Sequence, residues 1–233
     1  MKIEGAISVK AAIKAAKRDM KEVYISSKKK TKDFNYIRKI AREKKIPVLE
    51  MEEGDLLTVL EGKSHGGIGA LVSQRRDDRF TDEDILFLDG IEDPFNLGYI
   101  LRTAYAFGIE NVLLGKRDYS LMEGQLLKSS AGAYDFLNVA VSEDAVREVE
   151  GYKKKGYRIV SLFRGEDSKD IFDADFSKKS VYILGGEKRG IRKDILSLTD
   201  ETLYISYGSD FRNALNAAAA ADVLLTLRYD RKR

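Results

Sequence analysis

From residue 85 to the end of the chain, short apolar runs alternate with stretches of helical period, and this alternation most constrains the fold. Residues 85–88, 111–114, 136–140, 158–162, 181–184 and 203–206 read as strands. Helices are expected between them, near 97–107, 121–127 and 143–155, with a last one opening over Asn213 to Asn216 and running into five alanines. Strands joined through helices lie parallel, and a parallel sheet is covered on both faces. Its strands therefore need apolar residues at every position rather than at alternate ones, which is what these runs supply. The expected fold class is α/β with a mostly parallel sheet.

Ligands in open α/β sheets bind at the carboxyl ends of the strands. Two such ends carry unusual loops. After 181–184 come Gly185, Gly186 and Glu187, and two glycines there let the backbone turn and approach a ligand without a Cβ in the way. After 203–206 comes a loop with Gly208 that leads to Asn216. Glu187 and Asn216 are the polar side chains on offer, beside free backbone groups. The loop from Gly185 to Gly190 lacks the spacing of a phosphate loop or a dinucleotide fingerprint.

Residues 1–76 read as a small separate α/β domain. Ser8 is placed to cap a helix with Val9, Ala12, Ile13 and Ala16 on one face, and Phe34, Ile37, Ile40 and Ala41 mark the inner face of a second. Strands are expected at 22–26, 46–49 and 69–73, the middle one at an edge because of Pro47, and a short helix at 55–60. The polar, aperiodic stretch from Gln74 to Asp84 reads as linker, with 77–84 as its core and the second domain spanning 85–233. Residues 1–78 hold 18 Lys/Arg against 12 Asp/Glu, so they carry an excess of six positive charges, while the remainder is mildly acidic. A polyanion such as RNA is therefore expected to meet the first domain, with Lys28, Lys29 and Lys30 as an exposed basic turn and His65 in a glycine-rich loop. Bland alternatives stand beside both: a solvated turn for the lysines, and a solvent or turn role for His65.

The chain has no cysteine and a single histidine, which argues against thiolate chemistry, a zinc centre or a Ser-His-Asp triad, and no metal is expected. No run approaches the roughly 18 apolar residues of a membrane span, and the N-terminus lacks the apolar core of a signal peptide, so a cytoplasmic protein is expected.

The first junction of the second domain runs from Asp89 through Pro94, Asn96, Gly98, Arg102 and Thr103 to Phe107 and Gly108. Asn96 is a good helix cap. Arg102 is expected to fall among the inward-facing Ile100, Leu101 and Ala104, a placement suited to holding an anion. Asn-x-Gly-x-x-x-Arg-Thr-Ala, Gly-x-Glu-x-x-Gly from Gly185 to Gly190, and Leu-Asn-x-x-x-Ala from Leu215 to Ala220 occur in that order. Together they resemble the three motifs of the SpoU (TrmH-like) class of SPOUT RNA methyltransferases. The first 76 residues resemble that family's substrate-binding module, a small α/β domain akin to certain ribosomal proteins, including the loop from Ser64 to Gly69.

The resemblance implies methyl transfer from S-adenosylmethionine to a ribose 2′-hydroxyl of RNA, ribosomal RNA more than transfer RNA. It implies a trefoil knot in the C-terminal domain and a homodimer. It also implies cofactor contacts from Leu184, Gly185, Gly186, Ile205, Leu215 and Ala217, largely through backbone. Asn96, Arg102, Glu187 and Asn216 would form the catalytic floor, with Arg102 also touching RNA. Residues Ala217 to Ala221 then read as a packing surface in the dimer or against the knot. The third motif departs from the family's Ser-Leu-Asn-Val-Ser in having Ala214 and Ala218, and Asp210 and Arg212 are candidates to replace the lost polar contacts. A protein that keeps the fold and binds RNA without catalysis is the alternative outside enzymes, and a dinucleotide-dependent dehydrogenase a remote third.

Overall fold

The computed structural model describes residues 1–60, 62, 65–76 and 78–233. Ser64, in the glycine-rich loop, and Asp77, at the start of the expected linker, lie outside the described residues. In chain order the elements of the first stretch are β1 (Lys2–Glu4), α1 (Ala6–Ala15), β2 (Met20–Ser26), α2 (Lys32–Glu43), β3 (Val48–Met51), α3 (Glu53–Val59) and β4 (Ile68–Val72). There follow β5 (Ile85–Asp89), α4 (Pro94–Ala106), β6 (Asn111–Leu114), α5 (Glu123–Ser129), α6 (Ala133–Phe136), β7 (Asn138–Val141), α7 (Ala145–Lys154) and β8 (Arg158–Leu162). The chain closes with β9 (Lys169–Asp170), β10 (Ser180–Gly185), α8 (Lys193–Leu196), β11 (Glu201–Tyr204) and α9 (Ala217–Lys232).

Two compact units result, one of residues 1–76 with 119–136, the other of 77–118 with 137–233. In the first, the described strands form a sheet in the order β1-β4-β2-β3, with β2 and β3 parallel and the other pairs antiparallel. β3 takes the edge, as Pro47 requires of a strand it immediately precedes. α2 begins where Thr31 accepts a hydrogen bond from the Phe34 N–H and buries Phe34, Ile37, Ile40 and Ala41. α1 starts earlier than its sequence suggests. Gly5, at φ 88°, is its cap, and Ser8 sits buried inside the helix rather than capping it.

Residues 119–136, which the sequence reading gave to the second domain, belong with this first unit. The reason is a buried ion cluster. Arg18, 5% exposed, bonds Asp135 at 2.7 Å and Glu123 at 2.8 Å, and both carboxylates are themselves buried. Buried charges persist only when paired, so this cluster fixes α5 and α6 against the first sheet. The two acids lie 105 and 117 residues from Arg18, beyond the reach of any local pattern.

In the second unit the described strands form a sheet in the order β7-β6-β5-β10-β8-β11-β9, and every pair is parallel. β10 lies between β5 and β8 and is buried along nearly its whole length, which explains its unbroken apolar run. The chain steps from β5 to β6 and β7 on one side, then returns to build the other side. Neighbouring β5 and β10 thus feed loops that leave toward opposite halves of the sheet, the switch point at which such sheets form a crevice.

The polar stretch before β5 is not a free linker throughout. Asp84, 1% exposed, accepts a hydrogen bond from the Ser180 N–H and pairs through its other oxygen with Arg228 and Lys232 of α9. Arg228 also donates to the carbonyls of Phe107 and Gly108, left unpaired where α4 ends. One buried carboxylate therefore ties the C-terminal helix to the first strand of the sheet and to the end of α4. No helix among the described residues is long and apolar enough to cross a membrane.

Candidate active site at the β5, β10 and β11 carboxyl ends

β5 and β10 run in register to their last residues, with Gly185 opposite Asp89, so the loops after them start side by side. The two glycines after β10 meet a packing need that the sequence does not show. A Cβ on Gly186 would lie 1.9 Å from the Gly90 carbonyl oxygen, and one on Gly185 would lie 2.2 Å from the Gly190 carbonyl carbon. Neither residue has a positive φ. Their missing side chains let the protein's own backbone close on itself, with the Gly186 N–H donating to Asp89 and the Gly190 N–H donating to Gly186. The glycines let the two loops close on each other, and both remain in the lining of the cleft beside them.

α4 starts three residues earlier than expected. Asp93, not Asn96, is its cap, accepting from the Asn96 N–H at 2.8 Å, with Pro94 in the first turn. Asn96 is thereby freed for other work. Its Nδ2 donates to Glu187 Oε1 at 2.6 Å, and its Oδ1 accepts from Asn216 Nδ2 at 3.2 Å. Asn216 in turn accepts through Oδ1 from the N–H groups of Ala218 and Ala219 at 2.8 and 3.4 Å. Asn216 is thus the N-cap of α9, a structural role that the sequence reading did not give it, and the helix begins only at Ala217.

This chain of bonds has one sense. A carboxylate only accepts, so Asn96 must turn its NH₂ to Glu187, which leaves its oxygen for Asn216. The backbone N–H groups at the start of α9 only donate, so Asn216 must turn its oxygen to the helix and its NH₂ to Asn96. A carboxylate at one end and a helix N-terminus at the other fix both amides. Residues 96, 187 and 216, from three separate motifs, meet in one line.

Arg102 does not join that line. It is exposed, on the helix face of Phe95 and Tyr99, while Ile100, Leu101 and Ala104 point into the core. It forms no hydrogen bond or ion pair with any described residue. Glu92, a candidate partner by proximity in sequence, is engaged by Lys188 at 3.0 Å, which holds its carboxyl below the usual range. Arg102 is a cation held open to solvent.

Beside the Asn96–Glu187–Asn216 line lies a cleft of about 510 Å³ among the ends of β8, β10 and β11 and the start of α9. Leu184, Gly185, Gly186, Ile205, Leu215 and Ala217 all line it, as do Glu187 and Asn216 at one edge. Asn96 and Arg102 do not. The sequence reading missed the contribution of β8, whose end brings Leu162, Phe163 and Arg164 to the wall. The rule that ligands sit at carboxyl ends applies equally to this strand, and Gly165, three residues past its end, is the signal that could have found it. Ala214 also lines the cleft, and Arg212 reaches it. Asp210 and Arg212 form no hydrogen bond with a described residue and do not replace a serine hydroxyl. The position of Ala218 needs no hydroxyl for the cap, since its backbone N–H makes the bond to Asn216.

The residues expected to meet RNA in the first unit divide. Lys28 pairs with Glu52 at 2.8 Å and Lys29 donates to the Gly66 carbonyl at 2.9 Å, whereas Lys30 is exposed and makes neither kind of bond with a described residue. His65 is buried, and its Nδ1 accepts from the Gly67 N–H at 2.9 Å. It is an internal turn partner rather than an exposed contact.

A largely apolar cleft with a polar edge is the form of a site that holds a small molecule in a fixed orientation beside an open reaction surface. The model of the SpoU rRNA Methylase family matches residues 84–226, and that of the RNA 2'-O ribose methyltransferase substrate-binding domain matches residues 2–77. The chain belongs to the SpoU rRNA methylase family. The 23S rRNA (guanosine-2'-O-)-methyltransferase RlmB of Pseudomonas putida is 27% identical over 202 residues, 82% of this chain and 81% of that protein. A Staphylococcus saprophyticus protein placed by name in the TrmH family of tRNA/rRNA methyltransferases is 28% identical over 96% of this chain and 92% of its own. Among solved structures, the SpoU methyltransferase AviRb of Streptomyces viridochromogenes, in complex with AdoMet, matches with a TM-score of 0.80 at 22% identity, over 99% of this chain and 89% of that one.

Proposed function

We infer that the cleft takes S-adenosylmethionine and that its polar edge directs methyl transfer to a ribose 2′-hydroxyl of RNA, ribosomal RNA in preference to transfer RNA. The observation that carries this reading is the bonded line from Glu187 through Asn96 to Asn216 along the edge of an apolar cleft. The cleft fits the cofactor. Its volume falls in the range of roughly 300–1,000 Å³ usual for such ligands. Its walls offer aliphatic side chains, and Glu187 supplies a negative charge for a cationic centre. The bound cofactor supplies an electrophilic methyl group on a sulfonium.

The chain's own residues supply position and proton transfer. A ribose hydroxyl is a poor nucleophile that must be aligned and relieved of its proton. Glu187, oriented by Asn96, is a candidate acceptor for that proton, and the RNA phosphate beside the target is the other. Arg102 acts as a cation that clamps this phosphate, because a guanidinium holds its proton too tightly to serve as a base. On this reading the unit of residues 1–76 with 119–136 selects the RNA, and the remainder of 85–233 is the methyltransferase domain, with a C-terminal segment threaded as a trefoil knot. The active form is a homodimer in the cytoplasm.

The test is transfer of labelled methyl from S-adenosylmethionine to ribosomal and transfer RNA, followed by digestion to nucleosides. The reading expects a 2′-O-methylated nucleoside from ribosomal RNA. It also expects Arg102→Ala to abolish transfer while cofactor affinity, measured by calorimetry, stays unchanged, because Arg102 does not line the cleft. A methylated base, or cofactor affinity lost with Arg102, would overturn it.

A further inference from the structure

At the cleft, three side chains form a stack that the reaction described above does not use. The Arg164 guanidinium lies over the Tyr207 ring at 4.7 Å, and its Nη2 donates to the Ile205 carbonyl at 3.1 Å. Phe211 packs against Tyr207 with ring centroids 5.8 Å apart and an interplanar angle of 48°. Arg164 and Tyr207 line the cleft, whereas Phe211 is not part of its lining and is 50% exposed. Next to it Arg212 reaches the cleft and makes no hydrogen bond or ion pair with a described residue.

Exposure of one ring is ordinary in a folded protein; what sets Phe211 apart is its backing. Here the ring is held outward by the Tyr207 ring behind it, itself fixed by a cation stacked on its face and hydrogen-bonded to the backbone. A rigid, backed, outward-facing ring with an unpaired arginine beside it suits one ligand chemistry well. A nucleobase stacks on the ring and its phosphate meets the guanidinium. An apolar peptide would gain nothing from the free cation, and an acidic one would gain nothing from the ring.

We propose that Phe211, backed by Tyr207 and Arg164, is the platform on which a nucleobase of the RNA substrate stacks at the rim of the cleft, with Arg212 contacting the adjoining phosphate. The inference rests on the proposed RNA methyl transfer and adds a substrate contact to it. Stacking is tolerant of base identity, so the platform positions the strand without choosing its sequence.

The experiment titrates the full-length protein with a single-stranded RNA oligonucleotide carrying 2-aminopurine, whose fluorescence is quenched on stacking, and in parallel with S-adenosylmethionine by calorimetry. Phe211→Leu keeps apolar bulk but removes the ring, and Phe211→Tyr restores a ring. The expected result is RNA affinity lowered roughly 5- to 100-fold and quenching lost in F211L, with both near wild type in F211Y. S-adenosylmethionine affinity should stay near wild type in both. Arg212→Gln should weaken RNA binding and reduce its salt slope by about 0.7. Unchanged RNA affinity and quenching in F211L would overturn the platform while leaving methyl transfer standing, as would a loss of cofactor binding in step with RNA binding. A wild-type protein that neither binds nor methylates RNA would instead remove the functional reading beneath it.

Discussion

Asn216 holds two jobs that a single substitution can separate. Its Oδ1 caps α9, and its Nδ2 holds Asn96. Asn216→Ala removes both. Loss of an N-cap costs about 1 kcal/mol, within a range of roughly 0.5–2. The bond to Asn96, at 3.2 Å between residues open to water, adds no more than about 0.5 kcal/mol. The expected total of about 1–1.5 kcal/mol lowers the melting temperature by roughly 2–6 °C for a chain of this size. Asn216→Asp keeps an oxygen for the Ala218 and Ala219 N–H groups and adds a negative charge at a helix N-terminus, worth about 0.3–1 kcal/mol. It cannot donate to Asn96. The Asp variant should therefore melt within about 2 °C of wild type, yet methyl transfer should fall about 10-fold or more as Asn96 and Glu187 lose their fixed orientation. Thermal melts by circular dichroism and a labelled-methyl assay on the same preparations decide the matter. Wild-type turnover in the Asp variant would refute the role of the Asn216–Asn96 bond, and an Asp variant as unstable as the Ala variant would refute the cap.

Three further outcomes follow from the geometry. Asp84→Ala leaves Arg228 buried without its carboxylate, so denaturant unfolding should show a loss of about 3–5 kcal/mol, whereas truncating exposed Glu143, paired with Lys116, should cost about 1 kcal/mol or less. Gly186→Ala drives a methyl group into the Gly90 carbonyl and should destabilise by about 1–3 kcal/mol or more, together with loss of cofactor affinity; an unperturbed variant would show that the contact is not as close as 1.9 Å. At high pH the tyrosines matter. Burial pushes the phenols of Tyr134, Tyr152 and Tyr157 up to about 12, with Glu148 adding to the effect at Tyr152 and Asp82 at Tyr157. Between about pH 10 and pH 12 the folded state then binds more protons than the unfolded one, so stability is level below pH 10 and falls across that window. A phenolate absorbance titration should show these groups ionising late and together with unfolding; three phenols ionising near pH 10 in a folded protein would contradict it.

Much of the scaffold was legible in the sequence because parallel strands buried on both faces must be apolar throughout, and few other structures produce such runs. The strands at 111–114 and 158–162 match the structure to the residue, the other expected strands differ by one or two residues at their ends, and the short β1 and β9 have no expected counterpart. Three motif positions, Asn96, Glu187 and Asn216, were singled out in sequence and are bonded in the fold. Their individual reasons were less legible. Asn96 was read as a cap because asparagine caps helices, but Asp93 took that place, and the freed amide became the hinge of the line. Arg102 is expected to face inward because Ile100, Leu101 and Ala104 surround it in sequence, but the helical period puts it on the exposed face with Phe95 and Tyr99. For His65 the sequence leaves an RNA contact beside a solvent or turn role, and the buried ring takes the turn role by accepting from Gly67.

The sequence by itself determined the longer elements, the parallel sheet and which loops lie at its carboxyl edge, since these follow from local propensity and from burial pattern. Only the tertiary structure decided what the polar residues do. Gly186 meets Gly90 across 96 positions of sequence, Asn216 meets Asn96 across 120, and Asp84 meets Arg228 across 144. Such contacts leave no periodic trace, because one pair of side chains meeting once imposes no pattern on its neighbours. Helical and strand periods record the face that an element buries; the partner that a single amide or carboxylate finds there depends on how the faces are brought together.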